Sequence, residues 1–72
     1  MQLGEQIKFI RQKTFMSQEL FANELNVSVS SINRWETGKA RPNLAAMKQI
    51  KVFCNTNNLP FEDIEKEWFE TK

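Results

Sequence analysis

The sequence predicts an all-α fold: a compact bundle of five short helices, formed by a single domain over residues 1–72. Apolar residues recur at intervals of three and four along most of the chain, which is the spacing of one face of an α-helix. No segment bounded by turn residues alternates polar and apolar residues, so strand signals are absent. With 72 residues and 40% hydrophobic content, the chain has room for one small core.

Spacing and end signals define the first two helices. Three apolar residues mark a first helix of about residues 2–13: Leu3, Ile7 and Ile10. Ser17 begins the second helix, because its hydroxyl can accept a hydrogen bond from a free backbone N–H of the first turn. Phe21 and Leu25 follow one turn apart on one face. Asn26 ends this helix, since asparagine is second only to glycine in the left-handed conformation.

The third helix is predicted to begin after Ser28 and to end at Gly38. Ser28 is a second N-cap residue, and Gly38 tolerates the positive φ that stops a helix. Ile32 and Trp35 mark the buried side of this helix. We interpret Trp35 as a core residue rather than a ligand-binding one, because a tryptophan buries a large area.

Prolines separate the last two helices from the segments before them. Pro42 blocks continuation of helix three, and Asn43 caps helix four. The predicted apolar face of helix four contains Leu44, Met47, Ile50 and Cys54. Pro60 suits the first turn of an acidic fifth helix of about residues 60–70. The predicted apolar face of helix five contains Phe61, Ile64 and Trp68.

Composition argues against several classes of function. The chain contains no histidine, a single cysteine and no glycine-rich loop, and no nucleophile has a base nearby. We therefore expect neither an enzyme nor a protein that binds a metal, a cofactor or a small-molecule substrate. No apolar run is long enough to span a membrane. The lone Cys54 and the absence of a signal peptide favour a reducing cytoplasm.

Charge is divided between the two parts of the chain, although the whole chain has a net charge of only +1. Residues 1–51 contain eight basic and four acidic side chains, a net charge of +4. Residues 52–72 contain two basic and five acidic side chains, a net charge of −3. This division favours a basic face that meets phosphates and an acidic face directed away from them.

Residues 17–38 have the spacing of a helix-turn-helix, in which the second of two short helices lies in the DNA major groove. Over about residues 3–65, the chain resembles the DNA-binding domains of the lambdoid phage repressors and of the wider bacterial XRE-type regulators. The matching residues are Arg11, Ser17-Gln18-Glu19, Ala22, Leu25, Val27-Ser28, Ser31-Ile32, Trp35-Glu36, Gly38-Lys39 and Pro42. The chain departs from the family at Leu20, where a polar residue is usual, and at Asn26, where glycine is usual.

The resemblance implies a sequence-specific DNA-binding transcriptional regulator, a repressor of a bacterium or phage whose partner is double-stranded DNA. The implied DNA-binding residues are Gln18, Ser28, Val29, Ser30, Ser31, Arg34, Lys39 and Arg41. Asn33 lies next to this face, and it either contacts an adenine or remains in solvent. In the family, the residue matching Gln18 lies beside a phosphate, at a helix N-terminus that attracts anions. We expect Arg34 to contact a guanine and Val29 a thymine methyl group. Lys39 and Arg41 are expected to contact the DNA backbone.

The resemblance also implies a partly buried ion pair between Arg11 and Glu36, which ties helix one to helix three. Because single helix-turn-helix domains usually bind palindromes as dimers, we expect a homodimer. Trp68 and Phe69 extend beyond the core pattern of helix five. They form either a symmetric interface or part of a helix that covers the core and leaves one aromatic ring exposed. The alternative function is a protein-interaction module, such as an antitoxin or a phage accessory protein, that binds a partner through helix five.

Overall fold

The computed structural model describes residues 1–71 and contains five α-helices there, with no β-strand in that range. The helices are α1 (Leu3–Lys13), α2 (Gln18–Leu25), α3 (Val29–Glu36), α4 (Leu44–Thr56) and α5 (Glu62–Glu70). The predicted all-α fold with five helices is confirmed. Within the described part of the chain, no helix has the length and apolar character that crossing a bilayer requires.

The capping contacts confirm the predicted starts of α2, α3 and α4 and the predicted end of α2. The N-cap residues of α2, α3 and α4 each accept a hydrogen bond from a backbone N–H in the first turn: Ser17, Ser28 and Asn43. Asn26 ends α2 in the left-handed conformation, with a φ of 58°. Gly38 follows α3 with a φ of 78°. Residues that satisfy free backbone groups or permit a positive φ therefore set most helix boundaries, as their sequence positions indicate.

Helix α5 begins later than predicted. Pro60 lies before the helix rather than in its first turn, because the first helical residue is Glu62. Phe61 is the N-cap residue, and its side chain has no polar atom to bond to the helix. The first turn instead contains three acidic side chains, which the positive end of the helix dipole favours: Glu62, Asp63 and Glu65. Charge rather than a capping side chain therefore stabilises this helix end.

Among residues 1–71, 14 buried hydrophobic side chains form the core, and each of the five helices contributes at least one. Helix α1 packs against both α3 and α5, while α2 packs against both α3 and α4. The rings of Phe21 and Phe53 meet edge to face between α2 and α4, with their centroids 5.1 Å apart. Helix α3 is thus supported from two sides, by α1 and by α2.

Leu44 is the exception to the predicted apolar face of α4. Met47, Ile50 and Cys54 are buried as predicted, but Leu44 is 74% exposed. Leu44 is the first residue of α4, and the side chains of a helix tilt toward its N-terminus, so this side chain extends past the core. It lines a shallow groove beside α5 instead.

Candidate nucleic-acid interface

Helix α3 has one buried face and one exposed face. Ile32 and Trp35 are buried in the core. The opposite face presents four predicted DNA-binding residues to solvent: Val29, Ser30, Asn33 and Arg34. Val29 is 45% exposed although it is apolar. The structure therefore brings these four residues together on one surface, as the helical spacing of Ile32 and Trp35 predicts.

Ser28 and Ser31 lie at the start of α3 and contact each other. The Ser28 hydroxyl accepts a hydrogen bond from the backbone N–H of Ser31 at 3.1 Å. The two hydroxyl oxygens are 3.0 Å apart, within hydrogen-bond distance. Ser28 is exposed and Ser31 is half-buried. Both residues thus fix the first turn of α3 and border the exposed face of that helix.

The turn between α2 and α3 is closed by backbone hydrogen bonds. The N–H of Val27 donates to the carbonyl of Ala22 at 3.0 Å, and the N–H of Asn26 donates to the carbonyl of Asn23 at 3.2 Å. The side chain of Ala22 is buried where α2 and α3 pack against each other. The left-handed Asn26 gives the chain the same turn that glycine usually provides in the resembling proteins.

The Arg11 and Glu36 side chains are paired at the back of α3. Arg11 Nε lies 2.7 Å from Glu36 Oε2, and Arg11 Nη2 lies 2.9 Å from Glu36 Oε1, so the contact is bidentate. Hydrogen bonding to Glu36 raises the pKa of the Arg11 guanidinium. Arg11 Nη1 also donates to the carbonyl of Met16 at 3.0 Å. The arginine of α1 therefore holds both the end of α3 and the segment that leads into α2.

Gln18 belongs to the same network, which the sequence did not indicate. Its Nε2 donates to Glu36 Oε1 at 3.0 Å, so the carboxylate accepts three side-chain hydrogen bonds. What could have indicated the contact is that a buried carboxylate such as that of Glu36 needs several hydrogen-bond donors. Gln18 is still the first residue of α2, at the helix end that attracts anions. Its side chain links that helix end to Glu36.

Lys39 and Arg41 follow α3 but lie in different surroundings. Lys39 is exposed, and its backbone N–H donates to the carbonyl of Arg34 at 2.8 Å. Arg41 is half-buried, and its guanidinium carbon lies 4.3 Å from the centroid of the Trp68 ring in α5. The structure therefore places Lys39 in solvent just after the end of α3, whereas the Arg41 side chain packs against α5.

Comparison with known protein families identifies the family of this chain. A family model described as "Helix-turn-helix" matches residues 7–57. The chain belongs to the XRE-type helix-turn-helix family. The matched residues include the Arg11–Glu36 pair and the whole exposed face of α3, while α5 follows the end of the match.

One curated relative of this helix-turn-helix chain is the HTH-type transcriptional activator BcrR of Enterococcus faecalis. The two proteins are 36% identical over 53 residues, which is 74% of this chain and 26% of the relative. The chain thus spans about a quarter of the length of that protein. No solved structure matches the chain.

Trp68 and Phe69 lie beyond the part of the chain that matches the helix-turn-helix family. Trp68 is half-buried and its Nε1 donates to the carbonyl of Pro42 at 2.6 Å. Phe69 is 67% exposed, and its ring meets the Trp68 ring edge to face. One aromatic residue therefore packs against the domain while its neighbour faces solvent. Phe69, Trp68 and Leu44 line the groove between α4 and α5.

Proposed function

We propose that this chain is a sequence-specific DNA-binding transcription regulator that lays α3 in the major groove. The observation that carries the proposal is the exposed face of α3, where Val29, Ser30, Asn33 and Arg34 stand together on a helix supported by the core. Membership of the helix-turn-helix family supports it, as does the relative whose name describes a transcriptional activator. The four side chains of this face suit the edges of DNA bases, which present hydrogen-bonding groups and the methyl group of thymine.

In this proposal, each residue of the exposed face has its own contact. Arg34 donates two hydrogen bonds to O6 and N7 of a guanine, which its planar guanidinium fits. Val29 packs on a thymine methyl group. Ser30 bonds several bases with little discrimination, and Asn33 contacts an adenine at the edge of the site.

The proposed contacts to the DNA backbone lie on either side of the exposed face of α3. The N-terminus of α2 at Gln18 faces one phosphate, where the helix dipole favours an anion. The Gln18 amide is held by Glu36 at 3.0 Å, so this contact is oriented before DNA arrives. Ser28 and Ser31 offer hydroxyl groups at the start of α3, and Lys39 supplies charge after its end.

We further propose that the protein is a repressor that binds a palindrome as a homodimer in the cytoplasm. The groove between α4 and α5 suits a two-fold interface, because Phe69 and Leu44 are exposed there. Lys48 and Lys51 line the α4 side of the groove and Glu65 lines the α5 side, so a second copy related by two-fold symmetry can pair opposite charges. A reporter gene whose promoter overlaps the selected site measures the sign of regulation, and increased transcription would contradict repression.

A selection from a random duplex DNA pool at moderate salt tests the main proposal. We expect enrichment of a palindrome whose half-sites contain guanine. Arg34→Ala should weaken binding to that site by about 1–3 kcal/mol and relax the preference for guanine. Lys66→Ala removes the same charge from α5 and serves as the matched control, with little expected effect. Unchanged affinity and preference in Arg34→Ala would refute the assignment of the face.

The groove between α4 and α5 also supports the alternative function, a protein-interaction module. Its lining is mostly apolar and includes two strongly exposed side chains, Leu44 and Phe69. If the selection enriches no sequence and the only DNA binding is weak and salt-sensitive, this second proposal is favoured. A partner must then bind the wild-type chain and lose affinity on Phe69→Ser.

A further inference from the structure

Arg41 joins helix α5 to the connector, which we define as residues 37–43 between α3 and α4. Its guanidinium lies over the face of the Trp68 ring, 4.3 Å from the centroid. Its Nη1 donates a hydrogen bond to the backbone carbonyl of Thr71. The indole N–H of Trp68 donates to the carbonyl of Pro42. Helix α5 and the residue after it therefore hold the connector at two adjacent positions, Arg41 and Pro42.

The contacts that the structure gives Arg41 are those of a cation with neutral groups. A ring face attracts a cation modestly, and the Thr71 carbonyl accepts a single hydrogen bond from Arg41. A phosphate has a full negative charge and accepts two parallel hydrogen bonds from a guanidinium, so it binds arginine more strongly. Any phosphate that comes within reach of Arg41 therefore competes with α5 for this side chain.

In the proposed complex, the position of the connector places DNA phosphates near Arg41. The connector directly follows α3, and backbone N–H groups at Lys39 and Ala40 donate to the carbonyl of Arg34. If α3 occupies a major groove, we expect the connector to lie beside the DNA backbone, as the family resemblance implies for Lys39 and Arg41. Lys39 is exposed on this segment, two residues from Arg41. Gly38, with a φ of 78°, lies in this connector, which is not helical.

We propose that Arg41 is shared between helix α5 and DNA: α5 holds it in the free protein, and a phosphate takes it in the complex. This inference rests on the proposed function. Transfer removes the cation from the Trp68 ring and the donor from the Thr71 carbonyl. DNA binding therefore loosens the last turn of α5, and by reciprocity the intact α5 contact weakens DNA binding.

Fluorine NMR of the full chain labelled with 5-fluorotryptophan tests the transfer. The chain contains two tryptophans, and Trp35, buried in the core, serves as the internal reference. Trp68→Phe assigns the two resonances. On saturation with a mixed-sequence duplex at low salt, we expect the Trp68 resonance to shift clearly more than that of Trp35. Arg41→Gln should shift the Trp68 resonance in the free protein and remove most of the change caused by DNA.

Affinity measurements test the competition itself. Trp68→Leu removes the ring that holds Arg41, so we expect about threefold tighter binding to the duplex. The slope of log affinity against log salt should stay at the wild-type value, because Arg41 contacts a phosphate in both complexes, whereas Arg41→Gln should flatten it by about 0.9, the value of one phosphate contact. Arg41→Gln in the Trp68→Leu background should abolish the gain in affinity. Lys39→Gln is the matched control: it should weaken binding but leave the Trp68 resonance of the free protein in place.

Several outcomes overturn the proposal. A Trp68 resonance that does not move at DNA saturation would show that Arg41 stays on α5. Weaker binding by a folded Trp68→Leu would show that α5 positions Arg41 for DNA rather than withholding it. If Trp68→Leu does not fold, the proposal is tested by the shift of the Trp68 resonance on DNA binding in the wild type and in Arg41→Gln. Absence of any duplex binding at low salt refutes the proposed function and this inference together. DNA binding that does not shift the Trp68 resonance refutes this inference alone.

Discussion

Replacing Glu36 by alanine is expected to lower the free energy of unfolding by about 3 kcal/mol. The substitution removes three hydrogen bonds from the carboxylate: Arg11 Nε at 2.7 Å, Arg11 Nη2 at 2.9 Å and Gln18 Nε2 at 3.0 Å. Loss of one member of a buried ion pair costs about 3–5 kcal/mol, because the other charge remains buried. We take the low end because the Arg11 side chain is 12% exposed and keeps its bond to the Met16 carbonyl.

Thermal and urea unfolding followed by circular dichroism measure this effect. For a domain of this size, a loss of about 3 kcal/mol corresponds to a decrease in Tm of roughly 12–24 °C. Glu24→Ala, which removes an exposed glutamate from α2, is the matched control and should change the stability little. Arg11→Met combined with Glu36→Leu removes both charges and should recover part of the loss.

A decrease below about 1 kcal/mol in Glu36→Ala would refute this reasoning, since that is the range of an exposed ion pair. The same result would show that the contact does not hold α3 against α1. A double variant that is less stable than Glu36→Ala would refute a different step, namely that the unpaired Arg11 charge causes most of the loss.

Three further predictions concern other parts of the molecule. Burial raises the pKa of the Cys54 thiol to about 11 from 9.0. Above pH 9 the unfolded state loses this proton first, so the wild-type unfolding free energy should fall by about 2 kcal/mol more than that of Cys54→Ala between pH 9 and 11. An equal fall in the two proteins, measured by urea unfolding, would contradict the burial. Asn26→Ala should lower the unfolding free energy by about 1 kcal/mol, because alanine tolerates the left-handed conformation less well, while Asn26→Gly should not lower it in the same urea assay. Phe69→Ser should convert a dimer to a monomer in sedimentation experiments, and a wild-type monomer at high concentration would count against the proposed interface.

The helices and the exposed face of α3 could be predicted from the sequence because local rules set them. Ser17, Ser28 and Asn43 bond to backbone groups only three residues away, so their effect does not depend on distant parts of the chain. The inward side of α3 follows from the spacing of Ile32 and Trp35. The resemblance to the helix-turn-helix family added the Arg11–Glu36 pair, which spacing within one helix does not indicate.

The partners of long polar side chains were decided only by the tertiary structure. Gln18 bonds to a residue 18 positions away, and Arg41 bonds to one 30 positions away. Leu44 has the spacing of a core residue but lies past the end of the core. Helical periodicity predicts the direction in which a side chain leaves its own helix. The residues that this side chain contacts depend on how the helices pack. The sequence by itself therefore determined the helices and the face that α3 presents, and only the packing of α5 against the connector decided where Arg41 lies.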